Sequence, residues 1–246
     1  MRLKKMNNAL QMLCGKYPAK AEGVLVKNTA GAMGAPAALA MADGKTVKLL
    51  PWRRERRFVE LKNLVDNRTL DGVSTLRFAS MASGRTLSAL LYRELDLCEF
   101  LGESGIMSGF AVCNGKTANV IVKLHDGKSC SVECSGALPA GTEPIDRHEI
   151  IARRGVACDR AVDTQVPQAS IYVFAQDGES RFTDGDSELF GFDHDEALLI
   201  RAAFAVLAEP PLAELWNVLD ARLVKRTAEI LATDKSGKPV LYKEGE

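Results

Sequence analysis

Apolar residues at the start of the chain recur every three or four positions, at Leu3, Met6, Leu10 and Leu13. That spacing predicts a helix within residues 1–23, closed by Gly15 and then Pro18. Val24-Leu25-Val26 follows as a short buried strand, and Thr29 to Gly34 as a small-residue loop. Pro36 then introduces Ala37 to Ala42, which reads as a helix with proline in its first turn and Gly44 as its stop. Thr46 to Leu50 reads as the next strand. Strand, helix and strand over so short a distance predict a βαβ unit, with a parallel strand pair and a right-handed crossover.

A second helix is expected from Arg56 to Asn67, carrying Phe58, Leu61, Leu64 and Val65 on one face. Beyond it the period changes to two. Strand-like segments run over Val73–Ala79, Ile106–Cys113, Thr117–Leu124, Ser129–Ser135, His148–Ala152 and Ile171–Phe174. Turn signals such as Asn114-Gly115, Asp126-Gly127 and Asp177-Gly178 separate them. One helix, Thr86 to Leu101, interrupts the strands, and helices over Asp195–Ala208 and Leu212–Leu231 close the pattern. Strands in hairpins with helices held to one side predict an α+β fold. Its core is a mostly antiparallel open sheet with helices packed on one face, over residues 51–246. Residues 1–50 precede it as a small βαβ unit.

Composition narrows the function classes. The 246 residues carry 32 basic and 32 acidic side chains and 6% aromatics, which argues against a nucleic-acid partner. No run approaches the roughly 18 apolar residues of a spanning helix, so no membrane partner is expected. Ala9 to Cys14 is too short and too polar for a signal-peptide core, which places the protein in the cytoplasm. The six cysteines are then expected as buried free thiols. Cys130 and Cys134 would share a strand face about 13 Å apart, too far for a disulfide or a common metal, and no metal site is expected. Gly31 and Gly34 lack the spacing of a dinucleotide fingerprint, so no bound cofactor is expected either.

Four stretches together resemble the glucose–fructose oxidoreductase, inositol dehydrogenase and rhizopine-catabolism family of NAD(P)-dependent dehydrogenases, mainly its C-terminal substrate and dimerisation domain. They are Pro51 to Phe58 continuing through Leu61–Asp66 to Leu70–Val73; Leu95 to Glu103; Thr117 to Gly127; and Glu196 to Phe204 with Pro210, Trp216, Asp220, Arg222 and Ser236–Tyr242. The resemblance implies that the nucleotide-binding domain is truncated, with the chain beginning inside its second half and residues 1–50 left as a small βαβ remnant of a Rossmann-like domain. It also implies two departures from the family's chemistry. Lys27-Asn28-Thr29 stands where the family has Glu-Lys-Pro, the source of its active-site lysine. Arg93-Glu94-Leu95-Asp96 stands where it has His-Asp-x-Asp. Arginine stays protonated and cannot accept the proton that oxidation of a hydroxyl releases.

If the family's pocket persists, Lys27, Tyr92, Arg93, Glu94 and Asp96 would line it as a vestigial site with no catalytic residue, open to a small sugar-like or anionic ligand. The plainer alternative is an amphipathic helix with Leu91, Leu95 and Leu97 buried and its charges in solvent. Arg53, Arg54, Arg56 and Arg57 could grip an anion, although Glu55 and Glu60 among them favour ion pairs on a solvated helix start. His125, His148 and His194 each read better as structural or surface residues than as a base.

Three functions are consistent with this reading. The preferred one is a non-catalytic binding or assembly protein, a pseudoenzyme acting as a homodimer. Ala118, Val120, Val122 and Leu124, with Cys130, Val132 and Cys134, supply an apolar sheet face for a second copy to cover. The alternatives are an NAD- or NADP-dependent sugar or polyol dehydrogenase completed by a separate nucleotide-binding chain or upstream region, and a non-redox lyase or isomerase working in the same pocket.

Overall fold

The structure is a computed structural model that describes residues 2–29, 33–159, 171–175, 178–182, 189 and 191–244. The chain divides into two compact units, residues 1–55 with 185–222 and residues 56–184 with 223–246. Together they have the α+β character that the strand and helix periods predict.

The first unit opens with α1, Leu3–Lys16, which buries Met6, Leu10 and Leu13 of the expected stripe together with Ala9. Strands β1 (Gly23–Lys27), β2 (Ala37–Met41) and β3 (Thr46–Lys48) follow. They form an antiparallel meander in the order β1-β2-β3. The expected helix over Ala37 to Ala42 is therefore a strand, and the βαβ remnant does not form. Six residues are too few to recover the cost of nucleating an isolated helix. As the central strand, the same residues bury Ala37, Ala38, Leu39 and Met41. Asn7 fixes the edge of the meander, accepting from Leu25 N–H at 2.7 Å and donating to its carbonyl at 3.0 Å. Helix α4 (His194–Ala208) is N-capped by Asp193 and packs on α1.

The second unit is built on a nine-stranded sheet. Its strands are β4 (Val73–Met81), β5 (Ile106–Asn114), β6 (Thr117–Leu124), β7 (Ser129–Ser135), β8 (Ile145–Ala152), β9 (Gly155–Cys158), β10 (Ile171–Ala175), β11 (Gly178–Phe182) and β12 (Val240–Leu241). They lie in the order β11-β10-β9-β8-β4-β7-β6-β5-β12. Among the described residues, only β4 and β7 run parallel. Helix α2 (Arg56–Asp66) packs on α3 (Leu87–Gly102), and α3 lies against β4, β6 and β7. Thr86 caps α3, its hydroxyl accepting from Ala89 N–H.

The alternation in β6 and β7 is real, but α3 already covers it. Ala118, Val120, Val122, Leu124, Cys130, Val132 and Cys134 are all buried within the single chain. On the opposite face of the same strands, Asn119, Ile121, Lys123 and Glu133 are exposed, a mixed rather than apolar set. All six cysteines are free thiols, and Cys98, Cys130, Cys134 and Cys158 are buried. Among the described residues no helix is long and apolar enough to cross a membrane.

Candidate functional site

Helix α3 does not have a solvated charged side. Tyr92, Glu94 and Asp96 have no exposed surface, and Glu99 is also buried. Glu94 meets His148 of β8, and Glu99 meets Arg226 of the helix over Leu212–Ser236; a buried charge is tolerated only when paired. The amphipathic reading of α3 fails because its period cannot report partners that arrive from other elements.

Three carboxylates and three cations alternate in one cluster, all of it within the second unit. From α2, the Arg57 guanidinium donates to Asp159 Oδ2 at 2.8 Å and also bonds Asp146 Oδ2. From α3, Arg93 Nε donates to Glu94 Oε1 at 2.7 Å, and its Nη2 donates to Ser80 Oγ at 3.1 Å and bonds Asp146 Oδ1. At the centre, on β8, lies His148. Its Nδ1 is 2.6 Å from Asp159 Oδ2 and its Nε2 is 2.9 Å from Glu94 Oε2. The backbone N–H of His148 donates to Asp159 Oδ1 at 2.6 Å. Phe58 meets the ring edge-on at a centroid distance of 4.6 Å, and Phe78 closes a further side at 4.9 Å.

Each imidazole nitrogen faces a carboxylate, and only the imidazolium has an N–H for both. Burial opposes that charge, but Asp159, Glu94 and Asp146 outweigh it and raise the His148 pKa to about 9. Burial likewise works against ionised Glu94 and Asp146, and nearby cations reverse it. Arg93 and His148 lower Glu94; Arg93 and Arg57 hold Asp146 far below the usual carboxylate range. The cluster is neutral when all six groups are charged.

Ligand atoms of Glu94, Asp146 and His148 lie within 4.8 Å of one another, close enough to invite a divalent ion. The donor set does not suit one. Arg57 and Arg93 already engage the carboxylate oxygens, and a cation inserted there would meet two fixed guanidinium charges and an imidazolium.

Of the residues expected to line a vestigial pocket, Arg93 and Glu94 bond one another and join this cluster. Tyr92 and Asp96 are buried on the same helix. Lys27 lies in the first unit, exposed at the end of β1. Arg93 retains 23% of its side-chain surface and Asp146 retains 21%, so these two form the cluster's solvent-facing end. In the arginine run, Arg56 pairs with Glu60 at 2.6 Å on the surface, as the interleaved glutamates predict. Arg57 was legible as something else, since it stands four residues before Leu61 and eight before Val65, on the buried stripe. His148 had a similar signal, sharing the inward register of β8 with Ile150. Asp146 shares that register two residues before His148, whereas Asp159 had no such signal.

Replacing Arg93 with alanine is expected to lower the melting temperature with no ligand present. Asp146 keeps Arg57 and Glu94 keeps His148, so the loss should be modest, about 1–2 kcal/mol. An unchanged melting curve would show that Arg93 carries no structural load and stands ready for an anion.

Solved oxidoreductases have this architecture. An oxidoreductase from Agrobacterium radiobacter, in complex with NAD+, L-tartaric acid and magnesium, aligns at TM-score 0.62 and 13% identity, covering 78% of this chain and 63% of its own. An oxidoreductase domain protein from Kribbella flavida aligns at TM-score 0.64 and 12% identity, covering 79% and 65%. A levoglucosan dehydrogenase in complex with NADH and levoglucosan aligns at 0.62 and 11%, covering 78% and 64%. The chain shares their fold. Sequence similarity that low supports the fold alone, the one to which the four resembling stretches pointed. The chain spans less than two thirds of the length of each of these dehydrogenase-fold neighbours. No family model matches it, and no curated protein does.

Proposed function

We propose that this chain is a non-catalytic binding or assembly protein built on a dehydrogenase fold. One observation carries the reading. Arg93, standing where the family resemblance implies a catalytic histidine, is a permanent cation committed to Glu94, Asp146 and Ser80. The one histidine in the cluster is no substitute, because as an imidazolium between two carboxylates it has no lone pair with which to accept a proton. A small sugar-like or anionic ligand would meet the Arg93 and Asp146 end of the cluster. Assembly as a homodimer would use the open sheet face, where Ile121 is 51% exposed and Val112 58%.

A second reading is favoured by length. Because the neighbours are longer and some hold NAD+ or NADH, a separate nucleotide-binding chain or region could complete an NAD- or NADP-dependent dehydrogenase.

One sample tests the first reading. Calorimetric titration with NADH and with NADPH is expected to give no dissociation constant below about 100 μM, roughly 5.5 kcal/mol of binding. Light scattering on the same sample is expected to give twice the 26.7 kDa chain mass. Tight cofactor binding by the isolated chain would overturn the non-catalytic reading, and a monomer at high micromolar concentration would remove the dimer.

A further inference from the structure

The outer edge of the nine-stranded sheet is closed in two different ways along one strand. Toward the C-terminal end of β5, side chains from α5 (Leu212–Ser236) take the edge amides. Ala111 N–H donates to Thr233 Oγ1 and Cys113 N–H to Asp234 Oδ1, both at 2.8 Å. Toward its N-terminal end the closure is a strand. Val240 pairs with Gly109 and Leu241 with Ser108, and Tyr242 N–H donates to the Met107 carbonyl at 2.8 Å. An unpaired edge of this kind is a template for any extended chain.

The strand is held by one side chain. Leu241 is 74% exposed, while Tyr242 is buried over the Arg226 guanidinium, 4.7 Å from its ring centroid. Arg226 is itself paired with Glu99, whose Oε1 also accepts from Ile106 N–H at 3.0 Å, at the start of β5. The receiving groove is therefore built from α3, α5 and β5, without the segment that fills it. Gly109 belongs to the same fit, since a Cβ there would lie 2.6 Å from Ile230 of α5. The chain reverses into the strand at Gly237, whose φ of +65° lets its N–H reach the Thr233 carbonyl at 2.8 Å.

We propose that the β5 edge is a strand-acceptor site, filled in cis by the chain's own segment 238–244, and that the partner it fits is the same segment of a second copy. Main-chain pairing gives such a site its affinity, and alternate side chains give it selectivity. Here the selecting position is Tyr242, received by Arg226. With two paired residues and one buried ring, the segment opens at a smaller cost than the sheet behind it.

The test uses full-length protein carrying Tyr242→Ala or, separately, Val240→Pro, which removes an N–H from the pairing while keeping the tyrosine. Hydrogen exchange at Gly109 is expected to accelerate by roughly tenfold or more, with Ala111 and Cys113 changing by less than about twofold. A fluorescent peptide with the sequence of residues 238–244 is expected to bind either variant saturably, and the natural protein at least about tenfold more weakly. Affinity-tagged natural protein is expected to capture untagged variant through its own segment 238–244, and excess peptide is expected to lower that capture; capture that the peptide leaves unchanged removes the second copy as the site's partner. Equal acceleration at all three amides, or peptide binding that does not distinguish the variants from the natural protein, overturns the proposal. If Tyr242→Ala does not fold, Val240→Pro carries the same readouts.

Discussion

Replacing Arg57 with alanine is expected to destabilise the second unit more than any other single change in the charged cluster. The guanidinium bridges Asp146 and Asp159 and lies 4.4 Å over the Phe58 ring. Asp159 has 1% of its surface exposed, so losing its cation leaves a buried carboxylate that, among the described residues, His148 alone holds. Breaking a buried pair by removing one partner costs about 3–5 kcal/mol, a large share of the roughly 5–15 kcal/mol that holds a typical protein folded. The midpoint of thermal unfolding should fall by roughly 10 °C or more. Arg57→Lys should recover little, because one ammonium cannot reach two carboxylates as the planar fork does. Arg56→Ala is the control. Its pair with Glu60 is on the surface, and its removal should shift stability by less than about 0.5 kcal/mol. Equal losses for Arg56→Ala and Arg57→Ala in paired denaturation curves would show that the buried cluster contributes nothing special.

The second large effect is a dependence of stability on pH that belongs to His148. Its pKa is raised from an ordinary 6.5 to about 9 in the folded protein, so the folded state holds the proton more tightly than the unfolded chain. The stabilisation is complete below about pH 6.5 and is lost as pH rises from there through 9. A shift of two to three units corresponds to about 3 kcal/mol at its full extent. Glu94 and Asp146 act in the opposite direction. Their pKa values are lowered on folding, so their contribution is present above the ordinary carboxylate range and lost as pH falls below it. Stability should therefore peak between about pH 5 and 6.5 and decline on both sides. His148→Gln should be less stable throughout and should lose the alkaline decline. If it keeps the natural protein's slope between pH 7 and 9, the imidazolium assignment is wrong.

The two effects rest on residues that the sequence revealed to different degrees. Arg57 and His148 sit in register with apolar neighbours, Leu61 and Val65 in one case and Ile150 in the other. Asp146 precedes the strand segment expected at His148, and Asp159 lies just past β9, which no sequence pattern marked. Their acid groups could have faced solvent, and only the pairing of β8 with β4 and β9 brings them to the arginines.

Sequence alone determined the elements whose period is long or strict. Helix α1, helix α2 and the β5-β6-β7 alternation follow from spacing, because side-chain direction in a helix or strand is fixed by local geometry. The resemblance carried by four ordered stretches pointed to the fold that the solved oxidoreductases share. Tertiary structure decided what local geometry leaves open. It made Ala37–Met41 a central strand, because burial between two partners outweighs helix propensity in five residues. It also turned the charges of α3 inward, because whether a charge can be buried depends on which opposite charges the rest of the fold places beside it.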